Sequence, residues 1–124
     1  MRDFGDRPRE MRTAEAIRSI CLDVYMVSTN DLSLRRGKAE VSECRSAICH
    51  YIFRETTWGT RSIAEFLGRD RTLVYHALRR YQQLLDIDRK SRSRARSIEA
   101  RLRDYLRTPV VDGGCDVDDS TDKE

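Results

Sequence analysis

The part of this chain that most constrains its fold is residues 59–80, where two apolar-periodic stretches flank a single glycine, Gly68. Their apolar residues recur every three or four positions: Ile63, Ala64, Phe66 and Leu67 before the glycine, and Val74, Ala77, Leu78, Tyr81 and Leu85 after it. This spacing predicts two helices, the first capped by Thr60. Gly68 supplies the turn, because glycine enters the left-handed region at low cost. Asp70 is a candidate N-cap for the second helix.

The same periodicity predicts three more helices, from Thr13 to Tyr25, from Ser42 to about Thr56, and from about Ser91 to Arg107. Ala95, Ile98, Leu102 and either Tyr105 or Leu106 are expected to face inward on the last one. Residues 28–31 are typical of a turn and 32–38 of a basic loop. No useful strand-like alternation occurs. We therefore expect an all-α, helix-turn-helix bundle of about five helices.

Charge divides the chain into a domain and a tail. Residues 110–124 hold six acids and one lysine and therefore have a net charge of −5. Because the whole chain has a net charge of +3, residues 1–109 have a net charge of +8. We expect a flexible lead at 1–12, a basic domain at 13–107 and a disordered acidic tail at 108–124. The positive charge of this domain favours a polyanionic partner. The same excess of lysine and arginine also occurs on basic surfaces that only contact solvent.

Several classes of function and location are not expected. No apolar run approaches the roughly 20 residues of a membrane helix, and the first residues lack an apolar signal segment, so we expect a cytoplasmic protein with no membrane role. There is no GxxxxGK[ST] motif and no paired nucleophile and base, so we expect no nucleotide, cofactor or catalytic residue.

The cysteines do not predict a disulfide framework or a metal site. Cys21, Cys44 and Cys49 fall within helical patterns and are expected to be small core residues. A zinc site built from Cys44, Cys49, His50 and His76 would have the wrong spacing for the usual zinc modules. His76 is expected to be a packed helix residue, and Trp58 to cover the core near the helix-turn-helix.

The chemistry of residues 69–72 indicates contact with double-stranded DNA. A recognition helix enters the major groove near its N-terminus. There Arg69 and Arg71 can donate to guanine, Asp70 can accept from cytosine or cap the helix, and Thr72 can touch phosphate or a thymine methyl. The alternative is a plain helical hairpin with a solvated turn. The basic run 89–96 can likewise be a solvated face or a contact with the DNA backbone.

Residues from about 14 to 85 resemble the C-terminal DNA-binding domain, domain IV, of the bacterial replication initiator DnaA, which has a Trp-repressor-like helix-turn-helix. Three stretches carry the resemblance: the basic loop at 31–38, the helix at 45–56, and residues 62–77, Ser-Ile-Ala-Glu-Phe-Leu-Gly-Arg-Asp-Arg-Thr-Leu-Val-Tyr-His-Ala. The family signature Gly-Arg-Asp-His-Thr-Thr-Val, followed by His-Ala, is matched except at Arg71 and Leu73. An arginine at the first of these positions favours guanine, so the target sequence is expected to differ from that of the family.

The resemblance implies two sets of DNA contacts. Residues expected in the major groove are Arg69, Asp70, Arg71, Thr72 and Leu73. Residues expected on the backbone or in the minor groove are Arg35, Arg36, Lys38, Arg45, Thr60, Arg61, Arg79 and Arg80. The chain would then be a nucleoid-associated module without an ATPase domain, acting in replication initiation or its regulation.

Two other functions are compatible with the same residues. The chain could be a transcriptional regulator of a phage or mobile element, or a module that binds a replication or transcription protein without touching DNA. The sequence leaves open whether it is a monomer or a dimer.

Overall fold

The computed structural model describes residues 7–33 and 39–107, and all regular structure within these ranges is helical. The six helices are α1 (Arg7–Tyr25), α2 (Thr29–Ser33), α3 (Ala39–Glu55), α4 (Thr60–Leu67), α5 (Arg71–Ile87) and α6 (Arg89–Arg107). The predicted all-α class is confirmed. The predicted acidic tail at 108–124 lies outside the described residues.

The first helix begins earlier than predicted, because its first turns are anchored by a distant turn. α1 starts at Arg7, so the expectation of a flexible lead through residue 12 was wrong for residues 7–12. The Glu10 carboxylate accepts bonds from the main-chain N–H and the hydroxyl of Thr57, each at 2.8 Å. Thr13, predicted as the N-cap, is buried inside the helix and donates to the Arg9 carbonyl.

The short helix α2 was not predicted from the sequence, because its first residues are typical of a turn. Ser28 Oγ accepts from the Asp31 N–H at 3.0 Å, and the Asp31 carboxylate accepts from the Ser28 N–H at 3.3 Å. This reciprocal pair is a capping box, which begins a helix by satisfying its first free N–H groups. The segment predicted as a turn therefore starts the five-residue helix α2.

The core is built around α3, which packs against α1, α2, α4 and α5, while α6 packs against α1 and α5. Ala39 rather than Ser42 begins α3, and Ser42 lies inside it. Its inward side is almost continuously apolar: Val41, Cys44, Ala47, Ile48, Cys49, Tyr51 and Ile52. Cys21, Cys44 and Cys49 are buried as free thiols, as predicted. Burial of these side chains from several helices holds the bundle together.

The last helix is buried along Ala95, Ile98 and Leu102, as predicted, but not at its end. Tyr105 is 38% exposed and Leu106 46% exposed, so the expectation that one of them faces inward was wrong. At about 100° per residue they lie on opposite flanks of the buried stripe, in the final turn of the helix. No helix in the described part of the chain is long and apolar enough to span a membrane.

Candidate nucleic-acid interface

The turn between α4 and α5 is closed by main-chain bonds. Gly68 has φ 68° and ψ 37°, the left-handed conformation predicted for it, and its N–H donates to the Glu65 carbonyl. The N–H of Arg69 then donates to the Ala64 carbonyl at 2.9 Å. These bonds satisfy the last carbonyls of α4 and fix the direction in which the chain enters α5.

The start of α5 presents a polar, exposed surface. Asp70 occupies the N-cap with an extended backbone, as predicted, and its main-chain oxygen accepts from Leu73 and Val74. Its side chain makes no capping hydrogen bond. Asp70, Arg71 and Thr72 are all exposed. The carboxylate, the guanidinium and the hydroxyl are therefore presented together beside the positive end of the helix dipole.

Two residues predicted to share this surface lie elsewhere. Leu73 is half-buried and lines the groove between α3 and α5. Arg69 is also half-buried, and its Nη2 donates to the Leu32 carbonyl at 2.9 Å. The structure thus places Asp70, Arg71 and Thr72 together at the start of α5 and places Arg69 against the end of α2.

A basic groove of about 400 Å³ runs between α3 and α5. It is lined by Ser42, Arg45, Ser46, Leu73, His76, Ala77, Arg79, Arg80 and Gln83. Among the described residues that line it, three are arginines and none is a carboxylate, which makes it a favourable environment for an anion. Arg79 and Arg80 are exposed, and Arg79 lies 5.9 Å from the centre of the Tyr75 ring.

His76 lies on the rim of this groove and not in the core. It was expected to be packed, but it is exposed. Val74 is buried two positions earlier, and two positions rotate the side chain by about 200°, which places His76 on nearly the opposite face of α5.

The other residues predicted to contact the DNA backbone or minor groove lie on several elements of the protein. Thr60 is half-buried and Arg61 exposed in the first turn of α4. Arg45 is half-buried on α3 and donates to Leu32, like Arg69. Arg35, Arg36 and Lys38 lie outside the described residues.

The basic run at 89–96 is divided by internal bonds. Arg92 Nη1 donates to the Leu85 and Asp86 carbonyls at the end of α5, and Arg94 Nη1 lies 3.5 Å from Glu43 Oε2. Arg89 and Arg96 are exposed. Half of the arginines in this run therefore fasten α6 to its neighbours.

Two buried polar networks were not predicted. In one, the Tyr25 hydroxyl donates to Glu43, which Arg94 also approaches, so that α1, α3 and α6 meet at one carboxylate. In the other, the Tyr51 hydroxyl lies 3.2 Å from that of Tyr81 and donates to Glu99. The sequence signal for the first network was Glu43, an acid on the inward side of α3, because a buried carboxylate requires a partner.

Trp58 has a structural role. Trp58 is half-buried against the core and meets Phe66 edge-on, with ring centroids 5.6 Å apart, as predicted. Among the residues that the structure describes, no group of histidine, cysteine or acidic side chains could hold a metal ion.

Comparison with known proteins returned no relative. No protein-family model matches the chain, and neither the curated proteins nor the solved structures gave a match.

Proposed function

We propose that this chain is a sequence-specific double-stranded DNA-binding module that reads the major groove with the first turn of α5. The observation that carries the proposal is the joint exposure of Asp70, Arg71 and Thr72 at the start of a helix held by a tight glycine turn. Helix-turn-helix proteins read base edges from this position.

Each of the three side chains has a distinct role in the proposal. Arg71 donates two bonds to the O6 and N7 atoms of a guanine, and Thr72 contacts a phosphate or a thymine methyl. Asp70, whose carboxylate is not used in capping, accepts from the amino group of a cytosine.

Contacts with the DNA backbone would come from the basic surface around α5. Arg61, Arg79 and Arg80 are exposed cations on the two helices of the motif. The groove between α3 and α5, lined by Arg45, Arg79 and Arg80, contributes positive charge. Arg35, Arg36 and Lys38 join this set on the resemblance to DnaA domain IV alone.

The same resemblance supports a role in replication initiation or its regulation. A transcriptional regulator of a phage or mobile element would use an identical interface. The two roles differ in where the preferred DNA sequence occurs. Selection from random duplex DNA identifies that sequence, and its location then distinguishes the two roles.

The test compares two substitutions on the selected site. Arg71→Ala should relax the preference at one base position by about 1–3 kcal/mol. Arg79→Ala should weaken binding to all duplexes equally and reduce the slope of log K against log salt by about 1. Arg101→Ala removes the same charge from the surface of α6, where Arg101 pairs with Asp23, and serves as the control.

Two results would reject the proposal. One is the absence of any duplex binding at low salt, which would favour a protein-interaction module. The other is unchanged affinity and base preference in both the Arg71 and Arg79 variants.

A further inference from the structure

The main-chain oxygen of Leu32 receives two arginines from distant parts of the chain. Arg45 Nη2, on α3, donates to it at 2.9 Å, and Arg69 Nη2, in the turn before α5, donates to it at the same distance. Leu32 lies in the last turn of α2, and its side chain is buried. The end of α2 is therefore bonded both to the central helix and to the helix-turn-helix.

The chemistry of a helix end explains why one oxygen accepts both groups. The last carbonyls of a helix have no partner within it, and the helix dipole makes that end negative. A carbonyl oxygen has two lone pairs and can accept from two donors at once. The arrangement brings two cations close together. The pKa of Arg45 is lowered by burial and, to a lesser extent, by the charge of Arg69.

We propose that Arg69 is a positioning residue which, together with Arg45, fixes the end of α2 against the start of α5, and that it does not read bases. This role rests on the proposed function, because it concerns the geometry of the DNA-binding surface. Arg69 is half-buried with its guanidinium on Leu32, whereas Arg71, two residues later, is exposed.

The position of Arg69 in the chain makes such a link effective. The residue lies between Gly68, which ends α4, and Asp70, which caps α5. A displacement of the Arg69 side chain is therefore transmitted directly to the first turn of the recognition helix. Loss of the link would shift the whole reading surface, and all bound sequences would lose affinity together.

The first experiment compares Arg69→Gln with Arg71→Gln on duplexes that carry each single-base change in the selected site. Arg69→Gln should weaken binding to every duplex by a similar factor, roughly tenfold for one charge-assisted hydrogen bond, without changing the base preference. Arg71→Gln, the matched control, should change the preference at one position. Arg69→Lys retains a donor to the carbonyl and should recover most of the affinity.

The second experiment asks whether the two arginines act through one acceptor. Affinity is measured for Arg45→Gln, Arg69→Gln and the double variant, with thermal unfolding recorded for each to confirm folding. Residues that share a partner are coupled, so the loss in the double variant should differ from the product of the single losses by at least about twofold. Arg45→Gln should also leave the base preference unchanged.

The outcomes separate this role from the proposed function. A change of preference at a single base in Arg69→Gln, or independent losses in the double variant, would overturn the positioning role while DNA binding stands. If the unaltered chain bound no duplex, the proposed function would fail and the positioning role with it.

Discussion

The hydroxyl groups of Tyr51 and Tyr81 lie 3.2 Å apart in the core between α3 and α5, where both side chains are fully buried. Tyr51 also donates to Glu99 Oε2 at 3.0 Å, and the two rings meet edge-on with centroids 5.7 Å apart. Burial, followed by the bond to Tyr81, raises the pKa of Tyr51 above its usual range. Tyr51 is thus the central member of a chain of polar groups linking α3, α5 and α6.

Tyr51→Phe should therefore destabilise the protein more than Tyr81→Phe. Removing the Tyr51 hydroxyl deprives both Tyr81 and Glu99 of a partner, and the free energy of unfolding should fall by about 1–2 kcal/mol. Tyr81→Phe leaves Tyr51 bonded to Glu99, so its cost should be nearer about 0.5–1 kcal/mol. Urea unfolding of both variants measures the difference, and a larger loss in Tyr81→Phe would contradict this assignment.

The helices and most of the core were predictable because periodicity is a local property of the sequence. The apolar spacing around Gly68 predicted α4, α5 and the left-handed turn, all of which the structure contains. The N-cap position of Asp70 followed from the same pattern. The capping box of Ser28 and Asp31 could also have been recognised from its spacing, and it would have indicated α2.

The long-range polar contacts could not be predicted in the same way. Arg69 reaches an oxygen 37 positions earlier, and Glu10 binds Thr57 across 47 positions. Nothing in a local pattern states which polar groups will meet once the helices pack. Asp70, Arg71 and Thr72 are exposed, whereas the half-buried position of Arg69 depends on its contact with Leu32, which a local pattern does not specify.

The core cysteines should react slowly in the folded protein. Burial raises the pKa of Cys44 and of Cys49 to about 12, and it also raises that of Cys21. Because the thiolate is the nucleophile, little reactive species is present near neutral pH. In a Cys115→Ser variant, iodoacetamide at pH 8 should label the three remaining thiols rapidly in urea but slowly without it. Rapid labelling under native conditions would show that they are accessible.

Stability should fall as the pH is lowered through the range in which an ordinary histidine becomes protonated. The His50 ring centroid lies 4.7 Å from that of Tyr51 and 4.9 Å from that of Tyr81. Burial, and then the charge of Arg54, lowers the pKa of His50 below its ordinary value of 6.5, against a smaller opposing effect of Glu99. The unfolded chain therefore takes up this proton at a higher pH than the folded chain does. The contribution of His50 to the free energy of unfolding is therefore fully present above pH 6.5, and it is lost as the pH falls towards the pKa of His50 in the folded chain.

His50→Gln tests this contribution because it keeps a polar side chain of similar size without a group that titrates in this range. Between pH 7.5 and about 5, the free energy of unfolding measured in urea should decline in the unaltered protein and decline less in the variant. His76, exposed on the rim of the groove, provides the comparison. His76→Gln likewise removes one histidine and serves as the control, and an equal effect of both substitutions on the pH dependence of the free energy of unfolding would reject the assignment to His50.

Gly68 should be intolerant of alanine because of its backbone conformation and not because of space. Apart from the glycine itself and its two chain neighbours, no heavy atom lies within 4 Å of where a Cβ would be, but its φ is 68°. Placing alanine in the left-handed region costs about 1–2 kcal/mol, and asparagine adopts it more readily. The free energy of unfolding should therefore fall more in Gly68→Ala than in Gly68→Asn. Gly59→Ala, at an equally open site with φ −92°, needs no left-handed conformation; because glycine is preferred to alanine at an N-cap, it should cost about 0.5–1 kcal/mol, less than Gly68→Ala. Equal losses in Gly68→Ala and Gly59→Ala would show that the turn does not depend on the left-handed conformation.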